Sequence, residues 1–366
     1  MNMKKILFLS NYVSPYRVQF YNELSRFADV TVICYNGKKQ QAIREDSWFQ
    51  EGNFRQIQLE RCVFSRGEDG QLCLDVISWL SRPFDAVVLC GYSSPTQMLA
   101  MAWLRLHRIP FYLEVDGGLV RKESELKYRY KKLLVSSPTW WISSGEHTTD
   151  YLCHYGAKRD RVFRYPFTSL WQKEIPEAVP EEEEKRRLRR QLGLPEEKIV
   201  LYAGRYDPKK GMDDLLHCVP RLDRSYGFCF VGGEPTAEHQ RFCQEHDLRN
   251  VHFVGFQSKQ GLHRYYCAAD VLVLPTKSDV WGLVLNEAMA CGLPVITTDQ
   301  CVAGLELIRD GENGYIVPVD DNEALTQRIQ DVLEGDFARM GAAALETIRP
   351  YTVENMVQAH RRIFDL

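Results

Sequence analysis

The sequence predicts an α/β protein built of two tandem Rossmann-like domains. Its 366 residues suit about two domains of ordinary size, at roughly 150 residues each. In both halves of the chain, short aliphatic runs alternate with amphipathic stretches, which is the pattern of a parallel sheet covered by helices. A charged, Pro-containing break over residues 166–190 separates the two series. We therefore expect an N-terminal domain over residues 1–170 and a C-terminal domain over residues 171–350.

Composition excludes several classes of protein. Hydrophobic residues make up 45% of the chain and charged residues 26%, as in globular rather than disordered or fibrous proteins. The formal charge of −3 supplies no basic field for nucleic acid, so no nucleic-acid partner is expected. No apolar run is long enough for a signal-peptide core or a membrane span. The 11 cysteines and 9 histidines show no metal-site spacing, so we expect reduced thiols in a cytosolic protein and no metal.

The N-terminal series opens with a predicted strand, helix and strand over KKILFLS, VQFYNELSRFA and DVTVICY. Further strands are expected at Ala86–Cys90 and at residues 110–115 and 139–143, where aliphatic and aromatic residues cluster. After the break, the stretch EEEEKRRLRRQLGLP is typical of a solvated helix beside a linker. These elements alternate as a parallel sheet requires.

The C-terminal series repeats this alternation. Its predicted strands are Lys198–Ala203 and residues 227–231, 251–255, 270–275 and 293–297. Residues 283–291 predict an apolar helix that ends before Gly292 and Pro294. A final helix is expected over residues 351–366, with Thr352 as its cap.

The loop GRYDPKKG, residues 204–211, carries groups that suit a phosphorylated ligand. Arg205 follows a buried strand and can bind a phosphate with two N–H groups, while Lys210 adds a point charge. The loop lacks the GK[ST] ending of a Walker loop. A solvated basic turn is the alternative interpretation.

Residues 276–298 contain the most informative pattern. The predicted helix in this stretch offers unpaired N-terminal amides, which suit a diphosphate. Asp279 and Glu287 would repel a phosphate, so we expect them to accept hydrogen bonds from ribose and sugar hydroxyls. A helix cap and a helix-surface acid are the alternatives for these two residues.

The run DVWGLVLNEAMACGLPV, residues 279–295, resembles the signature of the retaining GT-B glycosyltransferases of family four. GRYDPKKG resembles the family's G-R-x-x-x-x-K-G loop. SNYVSPYRVQFYNEL, FVGGEP, FVGF and DGENGYIV are similar to family segments in kind and in order. The resemblance covers nearly the whole chain.

The resemblance implies a GT-B fold in which two parallel sheets face an interdomain cleft. The N-terminal domain would take the acceptor, the C-terminal domain the donor, and the final helix would pack back on the N-terminal domain. The implied reaction moves a hexosyl unit from a nucleoside-diphosphate sugar, expected to be a UDP-sugar, to a hydroxyl acceptor with retention and without a metal cofactor. A cell-surface polysaccharide or lipid-linked intermediate is the expected acceptor. A nucleotide-sugar epimerase and a non-catalytic nucleotide-sugar-binding protein remain alternatives.

The resemblance also implies roles for single residues of the C-terminal domain. Glu287 would hold the ribose and Asp279 the sugar hydroxyls, while Arg205 and Lys210 would neutralise the departing diphosphate. Backbone amides of the donor site would come from Gly282, Leu283 and Val284, and the nucleobase seat from Gly255, Phe256 and Gln257. The sequence departs from the family pattern in having Asp279 in place of the more frequent Glu, which is one methylene longer.

In the N-terminal domain, Asp116 and Glu114 end a predicted strand before a pair of glycines. By resemblance one of them would face the anomeric region, with Asp116 the first candidate; a buried structural acid is the alternative. The first loop carries Ser-Pro-Tyr-Arg where many relatives have Gly-Gly, which puts its contacts with the donor in doubt. Arg17 of that loop would meet a phosphate or the acceptor, or form a structural salt bridge.

The basic and aromatic segment RKESELKYRYKK, residues 121–132, suits a surface that touches a membrane carrying a lipid-linked acceptor. A solvated helix is the alternative. We therefore expect a cytoplasmic protein, with peripheral contact at the inner face of the membrane as a further hypothesis.

Overall fold

The structure is a computed structural model that describes residues 3–36, 52–66 and 70–366. The chain divides into two compact units. Unit 1 comprises Met1–Thr168 and Thr352–Leu366, and unit 2 comprises Ser169–Tyr351. Each unit has its own parallel sheet. Among the described residues, no helix has the length and apolar character needed to cross a bilayer.

Unit 1 is built on a sheet of seven parallel strands in the order β3-β2-β1-β6-β7-β8-β9. The strands of this unit are β1 (Lys5–Ser10), β2 (Asp29–Cys34), β3 (Arg55–Gln58), β4 (Cys62–Arg66), β5 (Gly70–Cys73), β6 (Ala86–Cys90), β7 (Tyr112–Val115), β8 (Trp140–Ser143) and β9 (Val162–Arg164). Its helices are α1 (Pro15–Leu24), α2 (Val76–Leu80), α3 (Pro95–Leu106), α4 (Glu125–Val135) and α5 (Glu146–His154). The central strands are buried over nearly their whole length, because helices cover a parallel sheet.

The C-terminal helix of the chain belongs to unit 1. The Thr352 hydroxyl caps it by accepting from the Asn355 amide at 3.2 Å. His360 packs against Phe20 with ring centres 4.6 Å apart and the rings tilted at 59°, and Phe364 meets Phe8 edge-on at 6.2 Å. These buried aromatic contacts fix the helix on the rest of the unit.

A small antiparallel ribbon, β4–β5, corrects one expectation about the cysteines. Cys62 and Cys73 are register partners across the ribbon and form a disulfide. The other 9 cysteines are free. The prediction of reduced thiols throughout was therefore wrong for this pair, because the 11-residue spacing does not reveal that a hairpin places the two residues opposite each other.

Unit 2 is built on a sheet of six parallel strands in the order β12-β11-β10-β13-β14-β15. The strands are β10 (Lys198–Ala203), β11 (Tyr226–Val231), β12 (Val251–Val254), β13 (Val271–Leu274), β14 (Val295–Thr298) and β15 (Gly314–Val317). The helices are α6 (Glu182–Leu192), α7 (Met212–Cys218), α8 (Ala237–Glu245), α9 (Lys259–Ala268), α10 (Leu283–Ala290), α11 (Val302–Leu307), α12 (Asn322–Glu334) and α13 (Phe337–Ile348); the C-terminal helix of unit 1 is α14 (Val353–Ile363). In both large sheets the chain order reverses beside the first strand of the unit, as in doubly wound α/β folds.

Helix α6 is not the solvated helix that its composition indicates. The Arg189 side chain is buried and donates to both carboxylate oxygens of Asp270 at 2.8 Å. Lys185 is also buried and donates to the Ala269 carbonyl at 3.0 Å. The charged stretch conceals this contact. Two of the five basic residues of α6 can be assigned to the interior only after a buried carboxylate elsewhere in the chain has been identified.

Candidate functional site

The sheet of unit 2 brings together the loop GRYDPKKG and the loop that leads to Asp279. Strand β10 lies between β11 and β13, so the loops that follow β10 and β13 leave the same edge of the sheet side by side. Ligands of open α/β sheets bind at this point, outside the carboxyl ends of the strands. The loop after β10 is GRYDPKKG, and the loop after β13 leads to Asp279 and α10.

Backbone hydrogen bonds join these two loops. The Lys209 carbonyl accepts from the Lys277 amide and from the Thr276 hydroxyl, both at 2.8 Å. Gly211 lies in the left-handed region with φ of 71°, and a Cβ there would come within 1.9 Å of the Pro275 carbonyl oxygen. Glycine is required at this position for both reasons.

Lys210 and Asp279 meet between the loops. The Lys210 ammonium lies 2.5 Å from an Asp279 carboxylate oxygen. Both side chains are partly buried. The backbone of Asp279 is fixed as well, because its amide donates to the Gln300 carbonyl at 3.0 Å. The site therefore contains an ammonium group and a carboxylate in direct contact, those of Lys210 and Asp279.

Helix α10 begins immediately after this pair. Gly282 is its N-cap residue with φ of 104°, and Leu283 and Val284 form its first turn. The buried Trp281 indole donates to the Asn286 side chain at 2.9 Å, which holds the entry to the helix. The first amides of a helix have no acceptor within the helix and carry its positive dipole end, so they favour an anion.

The backbone of Arg205 is fixed by a hydrogen bond, whereas its side chain is mostly exposed. The Tyr202 hydroxyl donates to the Arg205 carbonyl at 2.9 Å. The side chain is 79% exposed, and its guanidinium lies 4.0 Å from the Asp207 carboxylate. A contact this long and this exposed is weak, so the guanidinium can turn to an anionic ligand at small cost.

Glu287 lies in the second turn of α10, and its hydrogen bonds go to other elements of unit 2. Its carboxylate accepts from the Ser169 hydroxyl at 2.9 Å and from the Tyr266 hydroxyl of α9 at 3.1 Å. Burial raises the pKa of this carboxyl, and the two hydroxyl donors offset the effect only in part. Glu287 also borders a pocket of about 350 Å³, lined in addition by residues such as Lys259 and His263.

The predicted nucleobase seat follows β12. Phe256 is 61% exposed, and the Gln257 side chain donates to the Gly255 carbonyl at 3.4 Å. Strand β12 is the edge strand of the sheet and lies two strands from β10. The structure therefore places these three residues on the same sheet edge as Lys210 and Asp279, two loops away from the loop that follows β10.

In unit 1, Arg17, Glu114 and Asp116 form one buried cluster. The Arg17 guanidinium donates to Glu114 at 2.8 Å with one nitrogen and to Asp116 with the other. The Tyr165 hydroxyl donates to Asp116 at 2.9 Å. From α14, His360 Nε2 lies 3.7 Å from the Glu114 carboxylate. The contacts of Arg17 in the structure are therefore those of a salt bridge, which was the alternative to a contact with a phosphate or the acceptor.

The pKa values of the two carboxyl groups of this cluster shift in opposite directions. Burial alone would raise the pKa of Glu114, but Arg17 and His360 hold it well below its usual range. The pKa of Asp116 is raised by burial and by the neighbouring Glu114, against the opposing effect of Arg17. The side chain of Glu114 is fully buried, whereas that of Asp116 is 32% exposed. Of the two carboxylates, only that of Asp116 is therefore accessible from the surface of unit 1.

Sequence reasoning missed the residues that position these acids. Ser169 and Tyr266 bind Glu287, and Tyr165 binds Asp116. Each is a single hydroxyl residue in a segment without a motif, so the sequence carries no signal for its contact. The approach of His360 to Glu114, 246 residues earlier in the chain, is equally a product of tertiary structure.

Comparison with known proteins gives a family match that lies within unit 2. Residues 184–346 match the family Glycosyl transferases group 1. A D-inositol 3-phosphate glycosyltransferase of Mycobacterium marinum is 33% identical over 190 residues, 48% of this chain and 40% of the relative. A phosphatidyl-myo-inositol mannosyltransferase of Mycobacterium leprae is 32% identical over 174 residues, 46% of each protein. The chain thus spans about half the length of these curated relatives.

Solved structures show the fold of the whole chain. Anabaena HepE in complex with UDP and glucose superposes with a TM-score of 0.76 at 16% identity and covers 99% of both chains. Sucrose-phosphate synthase from Thermosynechococcus elongatus gives 0.73 at 22% identity, again over 99% of both chains. These similarities, together with the two parallel sheets, confirm the predicted GT-B class for the α/β fold.

Proposed function

We propose that this chain, whose residues 184–346 match Glycosyl transferases group 1, is a retaining glycosyltransferase that uses a nucleoside-diphosphate sugar. One observation carries the proposal: Lys210, Asp279 and the N-terminus of α10 meet at the carboxyl edge of the unit 2 sheet. A sugar diphosphate needs a cation and amides for its phosphates and a carboxylate for its hydroxyls. The three groups match those needs in kind and in number.

In the proposed reaction, the bond between the anomeric carbon and the diphosphate oxygen breaks, and negative charge develops on the diphosphate. Lys210, the exposed Arg205 and the first amides of α10, from Gly282 to Val284, stabilise that charge. An oxygen of the acceptor hydroxyl bonds to the anomeric carbon on the same face, and the hydroxyl proton passes to a carboxylate oxygen, for which Asp116 is the proposed group. Because these fixed charges act on the leaving group, we propose that the transfer needs no metal cofactor.

Glu287 and the loop after β12 are proposed to hold the nucleoside. A carboxylate that already accepts from two hydroxyls, those of Ser169 and Tyr266, can exchange them for the two hydroxyls of a ribose. The exposed ring of Phe256 offers a face on which a base can stack, with Gly255 and Gln257 beside it. UDP is the first nucleotide to test, since the structurally similar HepE has been solved with UDP.

Steady-state kinetics with a UDP-sugar and an oligosaccharide or lipid acceptor test the assignment. Glu287→Ala should raise the KM for the donor, because the ribose contact is made in the ground state as well as in the transition state. Arg205→Ala should lower kcat by about 10- to 100-fold with a smaller change in KM, because its target charge grows in the transition state. Wild-type values for both variants would contradict the proposal.

Arg224→Ala is the matched control for Arg205→Ala. Arg224 is an exposed arginine that precedes β11, so it lies at the opposite edge of the same parallel sheet. Its loss should leave kcat and KM unchanged.

Release of free nucleotide only when acceptor is present would also exclude an epimerase and a non-catalytic binding protein.

On the acceptor side, we propose that Asp116 of unit 1 accepts from the acceptor hydroxyl, with Arg17 and Glu114 as positioning residues. Partial exposure and a raised pKa make Asp116 the group of the cluster suited to proton exchange. Asp116→Asn should lower kcat and abolish the acid limb of its pH profile. An unchanged profile would show that Asp116 is structural.

A lipid-linked acceptor in the cytoplasmic leaflet is supported by the exposed face of α4. Leu126, Tyr130 and Leu133 recur at i, i+4 and i+7 and are 80%, 47% and 58% exposed. Lys127 and Lys132 flank this stripe, as in helices that lie on anionic membranes. One relative, the mannosyltransferase of Mycobacterium leprae, is named for a phosphatidyl-inositol acceptor.

Co-sedimentation with vesicles of anionic phospholipid tests this contact. The double variant Leu126→Ser/Leu133→Ser should bind less than the wild type, and added salt should weaken the binding of both. Val63→Ser removes an equally exposed apolar side chain on β4 and serves as the control. Equal binding of the wild type and the α4 variant would contradict the proposed membrane contact of α4.

A further inference from the structure

Three soft metal-binding side chains meet where α9 packs against α10. His263 and Cys267 are one turn apart on α9, and Cys291 directly follows α10. The Cys267 sulfur lies 3.6 Å from His263 Nδ1 and 3.8 Å from Nε2. One donor atom from each of the three residues lies within 4.8 Å of the other two.

These separations agree with a tetrahedral metal site. With a Zn–S bond of about 2.3 Å and a Zn–N bond of about 2.05 Å, tetrahedral angles place a bound sulfur and nitrogen ~3.6 Å apart, and two sulfurs ~3.8 Å apart. The observed sulfur–nitrogen distance already has this value. The pairing of His263 with Cys267 at i and i+4 resembles the way helical side chains chelate zinc from one helix face.

Neighbouring contacts hold the three donors in place without a metal. The Tyr266 hydroxyl of α9 donates to Glu287 of α10 at 3.1 Å, and the Ser258 hydroxyl caps α9 by accepting from the Gly261 amide at 3.1 Å. The two helices therefore do not have to move for the donors to converge. A preformed site keeps the ordering cost of metal binding low.

The cluster is also accessible. His263 is exposed, Cys267 is partly buried and Cys291 is buried, and both His263 and Cys291 line the pocket of about 350 Å³ next to Glu287. An ion can enter through this pocket, because two of the three donor residues line it, and three protein donors leave one tetrahedral position for another ligand. Three protein ligands with one open position are typical of reactive rather than purely structural zinc sites.

We propose that His263, Cys267 and Cys291 form a Zn²⁺ site on unit 2. Two thiolates and one imidazole select a thiophilic ion over Mg²⁺ or Ca²⁺, which require oxygen ligands. Two thiol protons leave when the ion binds, so the thiolates balance its charge and the buried site stays neutral. The ion takes no part in the proposed transfer chemistry, although its site borders the same pocket as Glu287.

Metal titration of the reduced, chelator-treated protein tests the proposal. Zn²⁺ in competition with a chromophoric chelator should bind at one ion per chain. Co²⁺ in its place should give the intense visible bands of a tetrahedral ion and a near-ultraviolet charge-transfer band from thiolate. The Co²⁺ spectrum needs no variant, so it remains a test even where a substitution impairs folding.

Cys267→Ser, Cys291→Ser and His263→Ala should each weaken Zn²⁺ binding by roughly 100-fold or more, since loss of supporting contacts alone costs 10- to 100-fold. Cys243→Ser on α8 is the control, because it removes a partly buried free thiol outside the cluster. Binding that survives in the three variants would overturn the site, as would an octahedral Co²⁺ spectrum. A Cys267–Cys291 disulfide in the freshly purified protein, found by peptide mapping, would overturn it too. None of these readouts depends on transferase activity.

Discussion

Two buried carboxylates of this protein have opposite surroundings. Glu114 is held by the guanidinium of Arg17, and its pKa falls below the usual range. Among the described residues, Glu287 accepts hydrogen bonds from neutral hydroxyls only, and burial raises its pKa against the opposing effects of Ser169, Lys259 and Tyr266. The first is the environment of a structural ion pair. The second leaves a carboxylate whose charged form is disfavoured by burial, and perturbed carboxyl groups of this kind are typical of functional sites.

Glu287→Gln should therefore stabilise the protein without ligand at neutral pH. A carboxyl with a raised folded pKa holds its proton more tightly in the folded state, so its contribution is fully present below the unfolded value near 4.5 and is lost as pH rises through the folded value. Glutamine does not titrate and keeps a carbonyl acceptor for Ser169 and Tyr266. The melting temperature of the variant should exceed that of the wild type at pH 7, and the difference should shrink towards pH 4.

Glu312→Gln is the control for this measurement. Glu312 is exposed and paired at the surface with Arg309 at 3.1 Å. Its melting temperature should follow that of the wild type at every pH. A Glu287→Gln variant less stable than the wild type at pH 7 would show that the hydroxyl contacts depend on the negative charge.

Arg17→Met should cost about 3–5 kcal/mol of the free energy of unfolding, because it leaves Glu114 buried without its cation. Adding Glu114→Gln should recover part of that loss. Arg26→Met removes an exposed arginine that follows the same helix and is paired with Glu23, so it should cost less than about 1 kcal/mol. Urea unfolding of the four proteins measures these differences, and equal effects of Arg17→Met and Arg26→Met would refute a buried ion pair.

At the scale of secondary-structure elements, two central strands were predicted with their bounds and the edge strand β12 was predicted to within one residue, whereas the edge strand β3 was missed. Ala86–Cys90 and Lys198–Ala203 have the predicted bounds, because a strand covered on both faces is a continuous aliphatic run. Strand β3, with the sequence RQIQ, lies at the sheet edge and is half exposed, so no such run marks it. Helix α1 begins at Pro15, three residues before its predicted start, since proline fits the first turn.

Helix α6 permits a direct comparison of two arginines on one element. Arg189→Met should cost about 3–5 kcal/mol, since Asp270 would remain buried without its partner. Arg187→Met should cost less than about 1 kcal/mol, because its pairing with Glu184 at 3.4 Å is exposed. Chemical denaturation measures both. Similar losses would mean that α6 is the solvated helix its composition indicates.

At the scale of the whole molecule, the proposed donor contacts all belong to unit 2, so nucleotide binding should be detectable without an acceptor. UDP at about 100 times its dissociation constant should add roughly 2.7 kcal/mol of stability, whereas ADP and GDP at the same concentration should add less. Thermal unfolding measures this effect. Glu287→Ala should abolish the increase, while Glu312→Ala should retain it. An equal shift with all three nucleotides would show that the site does not discriminate between nucleobases.

The sequence by itself determined the local features of this protein. Buried strands, helix ends, the loop GRYDPKKG and the segment DVWGLVLNEAMACGLPV follow from residue type and spacing. Propensity, capping and burial period act over a few residues, so a short stretch of sequence is enough to show them. The two α/β series followed from the repetition of those features. The resemblance carried by the loops then named candidate residues for a site.

Only the tertiary structure decided which of those residues meet. Lys210 and Asp279 are 69 residues apart and become neighbours because β10 and β13 are adjacent in the sheet. Arg17 finds its partners 97 and 99 residues away, and Cys267 and Cys291 approach because α9 packs on α10. Such contacts depend on strand order and helix packing, which arise from the whole core, and a linear pattern of residues does not encode them one by one.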